Sequence, residues 1–142
     1  MTSRSRSADA GGGPGLAAVI GVVAVGGVLG SLARYGIGQA WSSPWGIVTI
    51  NIVGSLALGL LMGALQGTGR HPLIRPFIGI GVLGGFTTFS TAMVDLRAEL
   101  QHGHGVTVLG LLLVTVSGSV LAAGAGWRWA GRISSHRPGT AR

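Results

Sequence analysis

LIRPFIGIGVLGGFTTFSTAM, residues 73–93, begins as an apolar run suited to a bilayer and turns polar part-way along. Residues 84–91 read GGFTTFST, two glycines followed by the hydroxyls of Thr87, Thr88, Ser90 and Thr91 set among the rings of Phe86 and Phe89. Glycine loses the most backbone entropy in a helix, and Thr and Ser compete for backbone hydrogen bonds, so the pattern predicts a helix interruption. At membrane depth irregular backbone survives only where it is buried in protein or lines a cavity. An interruption frees carbonyl oxygens that can ligate a hard cation such as Na⁺. The neighbouring hydroxyls can donate to an anion, and aromatic ring edges are electropositive. The plainer structural alternative has Ser and Thr bonding back to the preceding turn while the rings face lipid. It accounts for one or two hydroxyls but not for four flanking two rings.

Three more apolar segments flank this one, at about residues 16–37, 45–65 and 106–125. Each is long enough for the roughly 20 residues that cross a hydrocarbon core. The composition agrees. Hydrophobic residues make up 47% of the 142, glycine contributes 28 positions and charged residues only 9%, against about a quarter in soluble domains. So little charge could not cover a water-facing surface. Period-two alternation is absent, which excludes a membrane β-barrel. Trp41, Trp45, Trp127 and Trp129 stand at segment ends, where indoles suit the membrane–water interface. Small residues recur four apart at Gly26 and Gly30, Gly59 and Gly63, Gly81 and Gly85, and Gly118 and Ala122, a spacing that lets helices approach closely in lipid. The expected organisation is a disordered tail over residues 1–15, a four-helix transmembrane domain over 16–130 and a basic tail over 131–142. The first apolar stretch is too long for a signal peptide and is read as retained.

All ten basic residues are Arg, and the only acids are Asp9, Asp95 and Glu99. The net charge of +7 would suit nucleic acid, but the arginines cluster at segment ends rather than along one stripe. With four spans, Arg4, Arg6, Arg70, Arg75, Arg128, Arg132, Arg137 and Arg142 share one side, and only Arg97 and Arg34 fall on the other. That asymmetry predicts cytoplasmic termini. The absence of cysteine excludes thiolate metal sites.

Polar groups inside spans are costly and are therefore candidates for function. Asn51 is either glue to a neighbouring helix or an amide donor to a dehydrated anion. Arg34 is either a snorkelling cation beside an interfacial Tyr35 or a charge that draws anions into a vestibule. Thr115, Ser117 and Ser119 read as packing positions, with Ser117 a candidate pore-lining hydroxyl. His102 and His104 read as a solvated link, together with Asp95, Arg97 and Glu99. No carboxylate lies deep in a span and no nucleophile–base pair is present, so catalysis is not expected.

Gly26, Gly27, Gly30, Arg34 and Tyr35 in the first span, Asn51, Gly54, Ser55 and Gly59 in the second, and above all GGFTTFST at 84–91 carry a family pattern. On these residues the chain resembles the Fluc (CrcB-type) fluoride-channel family over nearly all of its spans. The resemblance implies an all-α membrane protein of four helices per subunit, the third broken mid-membrane, paired as an antiparallel dimer with two fluoride pathways. It implies a structural, untransported Na⁺ on the carbonyls of Gly84 and Thr87. Asn51 would donate to fluoride, Phe89 would offer a ring edge, and Thr88, Ser90 and Thr91 would form a hydroxyl track, with Arg34 at the family's first-helix arginine. The expected function is a passive leak that lowers cytoplasmic fluoride across the plasma membrane.

Two positions depart from that pattern, which typically has a second Phe where this chain has Ala92 and a Thr where it has Ile47. The arginine bias also fixes one orientation, whereas an antiparallel pair of identical chains needs both. A related, oppositely oriented subunit is therefore the expected partner, with a homodimer or a non-conducting accessory role as alternatives. A small multidrug exporter shares the size and span count but needs a membrane-embedded acid, and residues 16–37 contain none.

Overall fold

Ser43 and Pro44 show how directly the local sequence sets the helix ends. In the computed structural model, which describes residues 13–41, 43–66 and 72–135, the Ser43 hydroxyl accepts from Trp45 N and Pro44 takes the first helical position. Both are favoured choices at a helix start, since the cap satisfies an orphan amide and proline has none to lose. Helix α1 spans Leu16–Ala40 and α2 spans Pro44–Ala64. The third segment opens as a π-helix, Arg75–Leu83, and passes into a single α-turn, α3, Gly84–Phe86. Thr87 and Thr88 are not helical, and α4, Phe89–Gln101, follows. Helix α5 spans Gly105–Ser135, with Arg132 in its last turn, where a cation meets the negative end of the helix dipole.

Four stretches are long and apolar enough to cross a membrane: Leu16–Ala40, Pro44–Ala64, Arg75–Gln101 taken through its interruption, and Gly105–Ile133. The chain is a multi-pass, all-helical membrane protein. Most residues of the two tails, and residues 67–71 with Arg70, lie outside the described residues.

The helices pair as α1 with the third segment and α2 with α5, and glycine makes both seams. A Cβ on Gly26 would stand 2.5 Å from the Phe77 carbonyl oxygen, and one on Gly81 would stand 3.0 Å from the Gly26 Cα. Gly59 and Gly63 play the same part against the backbone of Ala123 and Trp127 on α5. In lipid there is no hydrophobic drive between helices, so dispersion contact at this range is what holds them. Helix α2 is the centre of the subunit: 39% of its apolar window is buried, against 6–17% for the other three spans.

The third connection differs from the sequence expectation. Asp95, Arg97 and Glu99 belong to α4 rather than to a link. Leu96 anchors that part of the helix in a cluster with Val48 and Leu111, and the intervening residues are mostly good helix formers. Only His102, Gly103 and His104 form the connection. Gly103 adopts φ 82°, its N–H donates to Leu100 O, and His104 N–H donates to Glu99 O. This is the Schellman arrangement, which needs a left-handed residue that glycine supplies without strain. His104 Nδ1 lies 2.8 Å from Glu99 Oε2 and its ring stacks on His102 at 6.4 Å.

The seams yield a paired test. Gly59→Ala should lower unfolding stability in mixed micelles by about 1–3 kcal/mol, the usual cost of overpacking. Gly110→Ala, where a Cβ meets nothing within 4 Å, should be neutral or raise stability by up to about 1 kcal/mol through helix propensity.

Candidate functional site

A continuous helix would send the Thr88 amide to the Gly84 carbonyl and the Thr91 amide to the Thr87 carbonyl. Neither bond forms. Thr88 N donates to Asn51 Oδ1 at 2.8 Å, and Asn51 Nδ2 donates to Thr88 O at 3.0 Å. Both backbone groups of Thr88 are thus held by one buried side chain from α2. Thr91 N donates to Thr88 Oγ1 at 3.3 Å, which makes Thr88 the N-cap of α4, bonded to its third helical residue. Thr87 is extended, φ −77° and ψ 147°, and its hydroxyl bonds back to Leu83 O at 2.9 Å.

The Gly85 carbonyl loses its helical donor in the same way and finds two on α1. Ser31 Oγ and Arg34 Nε each donate to it at 3.3 Å. Gly85 has no side chain to hold α1 away; a Cβ there would strike the Gly27 backbone. Arg34 Nη1 then reaches past the interruption to Thr91 Oγ1 at 3.2 Å. The guanidinium bridges the two helical halves of the third segment, and its direction is inward, not the outward snorkel that its place near a helix end allowed.

Thr88, Ser90 and Thr91 form one hydroxyl cluster, with Thr88 Oγ1 3.2 Å from both Ser90 Oγ and Thr91 Oγ1. Ser90 and Phe89 are exposed on the subunit, Phe89 at 63%. Phe86 turns the other way and packs on the Ile47, Ile50 and Ala92 cluster. Ser117 lies apart on α5, exposed, its hydroxyl turned onto the Leu113 carbonyl. Thr115 is buried and bonds to Leu111 O at 2.7 Å. A groove of about 460 Å³ leads to the cluster, with Arg34, Tyr35, Gln39, Trp41, Thr91 and Glu99 on its walls.

The Gly84 and Thr87 carbonyls have had their helical amides diverted to Asn51 and Thr88, so a group held there would meet backbone oxygen donors. Among the described residues no group of three His, Asp or Glu side chains could hold a metal ion. Ser31 was not among the sequence candidates, and Glu99, expected only in a solvated link, stands on the groove wall. Ser31 carried a signal, since it lies three residues before Arg34 on one helix face.

The chain matches the family described as "CrcB-like protein, Camphor Resistance (CrcB)" over residues 21–127. It belongs to the CrcB family. A Nocardia farcinica protein named "Fluoride-specific ion channel FluC 2" is 41% identical over 123 residues, covering 80% of this chain and 87% of its own length. The Rhodococcus jostii "Fluoride-specific ion channel FluC 1" is 41% identical over 123 residues, covering 87% and 90%. The Sphingopyxis alaskensis "Fluoride-specific ion channel FluC" is 43% identical over 112 residues, covering 73% and 88%. These CrcB relatives are ion channels by name and not enzymes. The matched region contains most of α1, all of α2 and the interrupted segment, and most of α5, so every residue of the site lies inside it.

The Asn51 clamp has a measurable cost. Asn51→Leu leaves two backbone groups of Thr88 unpaired and should cost about 2–6 kcal/mol in micelle unfolding, at roughly 1–3 kcal/mol per orphaned group. Thr88→Val removes the cap and should cost about 1 kcal/mol. A loss under about 0.5 kcal/mol for Asn51→Leu would mean that Thr88 is held by something else.

Proposed function

We propose that this CrcB protein is a subunit of a fluoride-specific ion channel in the plasma membrane, letting cytoplasmic fluoride leak out. One observation carries the reading: Asn51, Thr88, Ser90, Thr91 and Arg34 converge on a helix interruption in a chain whose relatives are named fluoride channels. Fluoride holds its water tightly, so a passage must replace that shell with donors weak enough to release the ion again. An amide NH₂ has two donor hydrogens. Asn51 uses one on Thr88, and among the described residues its second has no partner and is free for an ion. The exposed ring of Phe89 and the Ser90 and Thr91 hydroxyls continue the line outward, and Ser117 on α5 would add a hydroxyl by turning off the Leu113 carbonyl.

In this reading the third helix is broken mid-membrane and Na⁺ is bound by the Gly84 and Thr87 carbonyls. The cation supplies fixed positive charge that draws the interrupted segments together and is not transported. The termini are cytoplasmic, in line with the arginine asymmetry.

The subunit partner is a related chain of opposite orientation, and packing favours this over an identical copy. Ile47 and Ala92, the two departures from the family pattern, are 8% and 6% exposed and share one apolar cluster. The void beside them is about 10 Å³, at the very bottom of the roughly 10–15 Å³ a water needs. A ring in place of Ala92 has no room, and the one hydroxyl on this void, Thr115, already donates to the Leu111 carbonyl. The numbered names FluC 1 and FluC 2 among relatives fit chains that occur as pairs.

Fluoride release from liposomes, read with a fluoride electrode, tests the proposal. Liposomes containing this chain and an oppositely oriented relative should release fluoride but not chloride. Thr91→Val, which removes the hydroxyl under Arg34, should slow release by roughly tenfold, the worth of one good hydrogen bond. Full release by this chain alone would overturn the paired-subunit part. No release under either condition would leave an accessory, non-conducting subunit.

A further inference from the structure

A wide groove lies away from the interruption, where α2 and α5 meet. Its volume is about 720 Å³. Leu56 and Leu60 of α2 form the floor, and Val120 and Leu121 of α5, 67% and 71% exposed, form one wall. Gly124 keeps it open: a Cβ there would meet nothing within 4 Å. At one end the lining changes character. Arg128 and Arg132, one turn apart on the same face of α5, stand exposed beside Trp129, and among the described residues no acid lines the groove.

We propose that this groove binds one anionic phospholipid, its acyl chain along Leu56, Leu60, Val120 and Leu121 and its phosphate between Arg128 and Arg132. Three features point to that occupant. The groove is apolar for most of its length, which suits a hydrocarbon chain and gives a free phosphate nothing to gain. Its polar end presents two guanidinium groups, the side chains best shaped to hold phosphate oxygens in pairs. Trp129 sits at that same end, an indole with an apolar body and one N–H donor that belongs at headgroup level. Charge and depth therefore match along the whole groove: hydrocarbon against Leu and Val, headgroup against Arg and Trp. Basic pockets between transmembrane helices are where anionic headgroups bind. The site is independent of the ion pathway and stands or falls separately from it.

Native mass spectrometry of the detergent-purified protein, titrated with phosphatidylglycerol and with phosphatidylcholine of the same chains, tests it. The protein should retain phosphatidylglycerol in preference by roughly thirty-fold, the effect of two basic side chains at an anionic headgroup. The double variant Arg128→Gln, Arg132→Gln should lose that preference, and Gly124→Leu, which fills the groove, should shed both lipids while the oligomer mass stays the same. Equal retention of the two lipids, or a preference that survives the double variant, would overturn the proposal. Millimolar inorganic phosphate that displaces the lipid would make this a free-anion site instead. If Gly124→Leu dissociates the oligomer, the groove belongs to a second subunit and the proposal fails.

Discussion

A peptide group in hydrocarbon has no water to fall back on, so an interrupted transmembrane helix must find a partner for every amide and carbonyl that it releases. Here that constraint falls on Thr88, and one side chain meets it. Asn51 presents an acceptor and a donor in the same plane and takes both the N–H and the C=O of Thr88, at 2.8 and 3.0 Å. A buried amide is worth its desolvation only when it is paired in this way. The pairing also commits α2, the most buried helix, to the interruption, so the position of the break is set from the centre of the subunit.

The other released groups are met from α1. Ser31 and Arg34 share the Gly85 carbonyl, and Arg34 continues to Thr91. That reach depends on the glycine seam, because Gly26 and Gly30 on α1, with Gly81 and Gly85 opposite, let the two segments lie at backbone contact. Close packing and polar bracing are thus one device. Removing the clearance would carry Arg34 away from the segment that it bridges. The Gly84 and Thr87 carbonyls lose their helical donors to Asn51 and Thr88, and no hydrogen bond among the described residues replaces them.

Much of this was legible in the sequence. Four apolar runs gave four spans, and GGFTTFST marked where regular helix would end. Asn51 and Arg34 stood out because each is a polar group in an apolar run. The partnerships were not legible. Asn51 left two readings open because its partner is 37 residues away, and a three-dimensional contact leaves no trace in spacing. Arg34 near a helix end is equally placed to snorkel outward or to reach inward, and only the nearness of Gly85 decides for inward. The extension of α4 through Asp95 and Glu99 was missed because charge there resembles a link, while the buried contact of Leu96 with Val48 and Leu111 is invisible along the chain. The cap by Thr88 was legible in principle, since Thr followed three residues later by Thr91 is close to a capping pattern.

Residues 87 and 88 leave the helix while their neighbours stay in it. Solid-state NMR of the protein in bilayers, reading Cα and Cβ chemical shifts from 83 to 93, tests this without relying on activity. Helical shifts are expected at Gly85 and Phe86, an extended shift at Thr87, and helical shifts again from Phe89 onward. Unbroken helical shifts through Thr87 and Thr88 would contradict it.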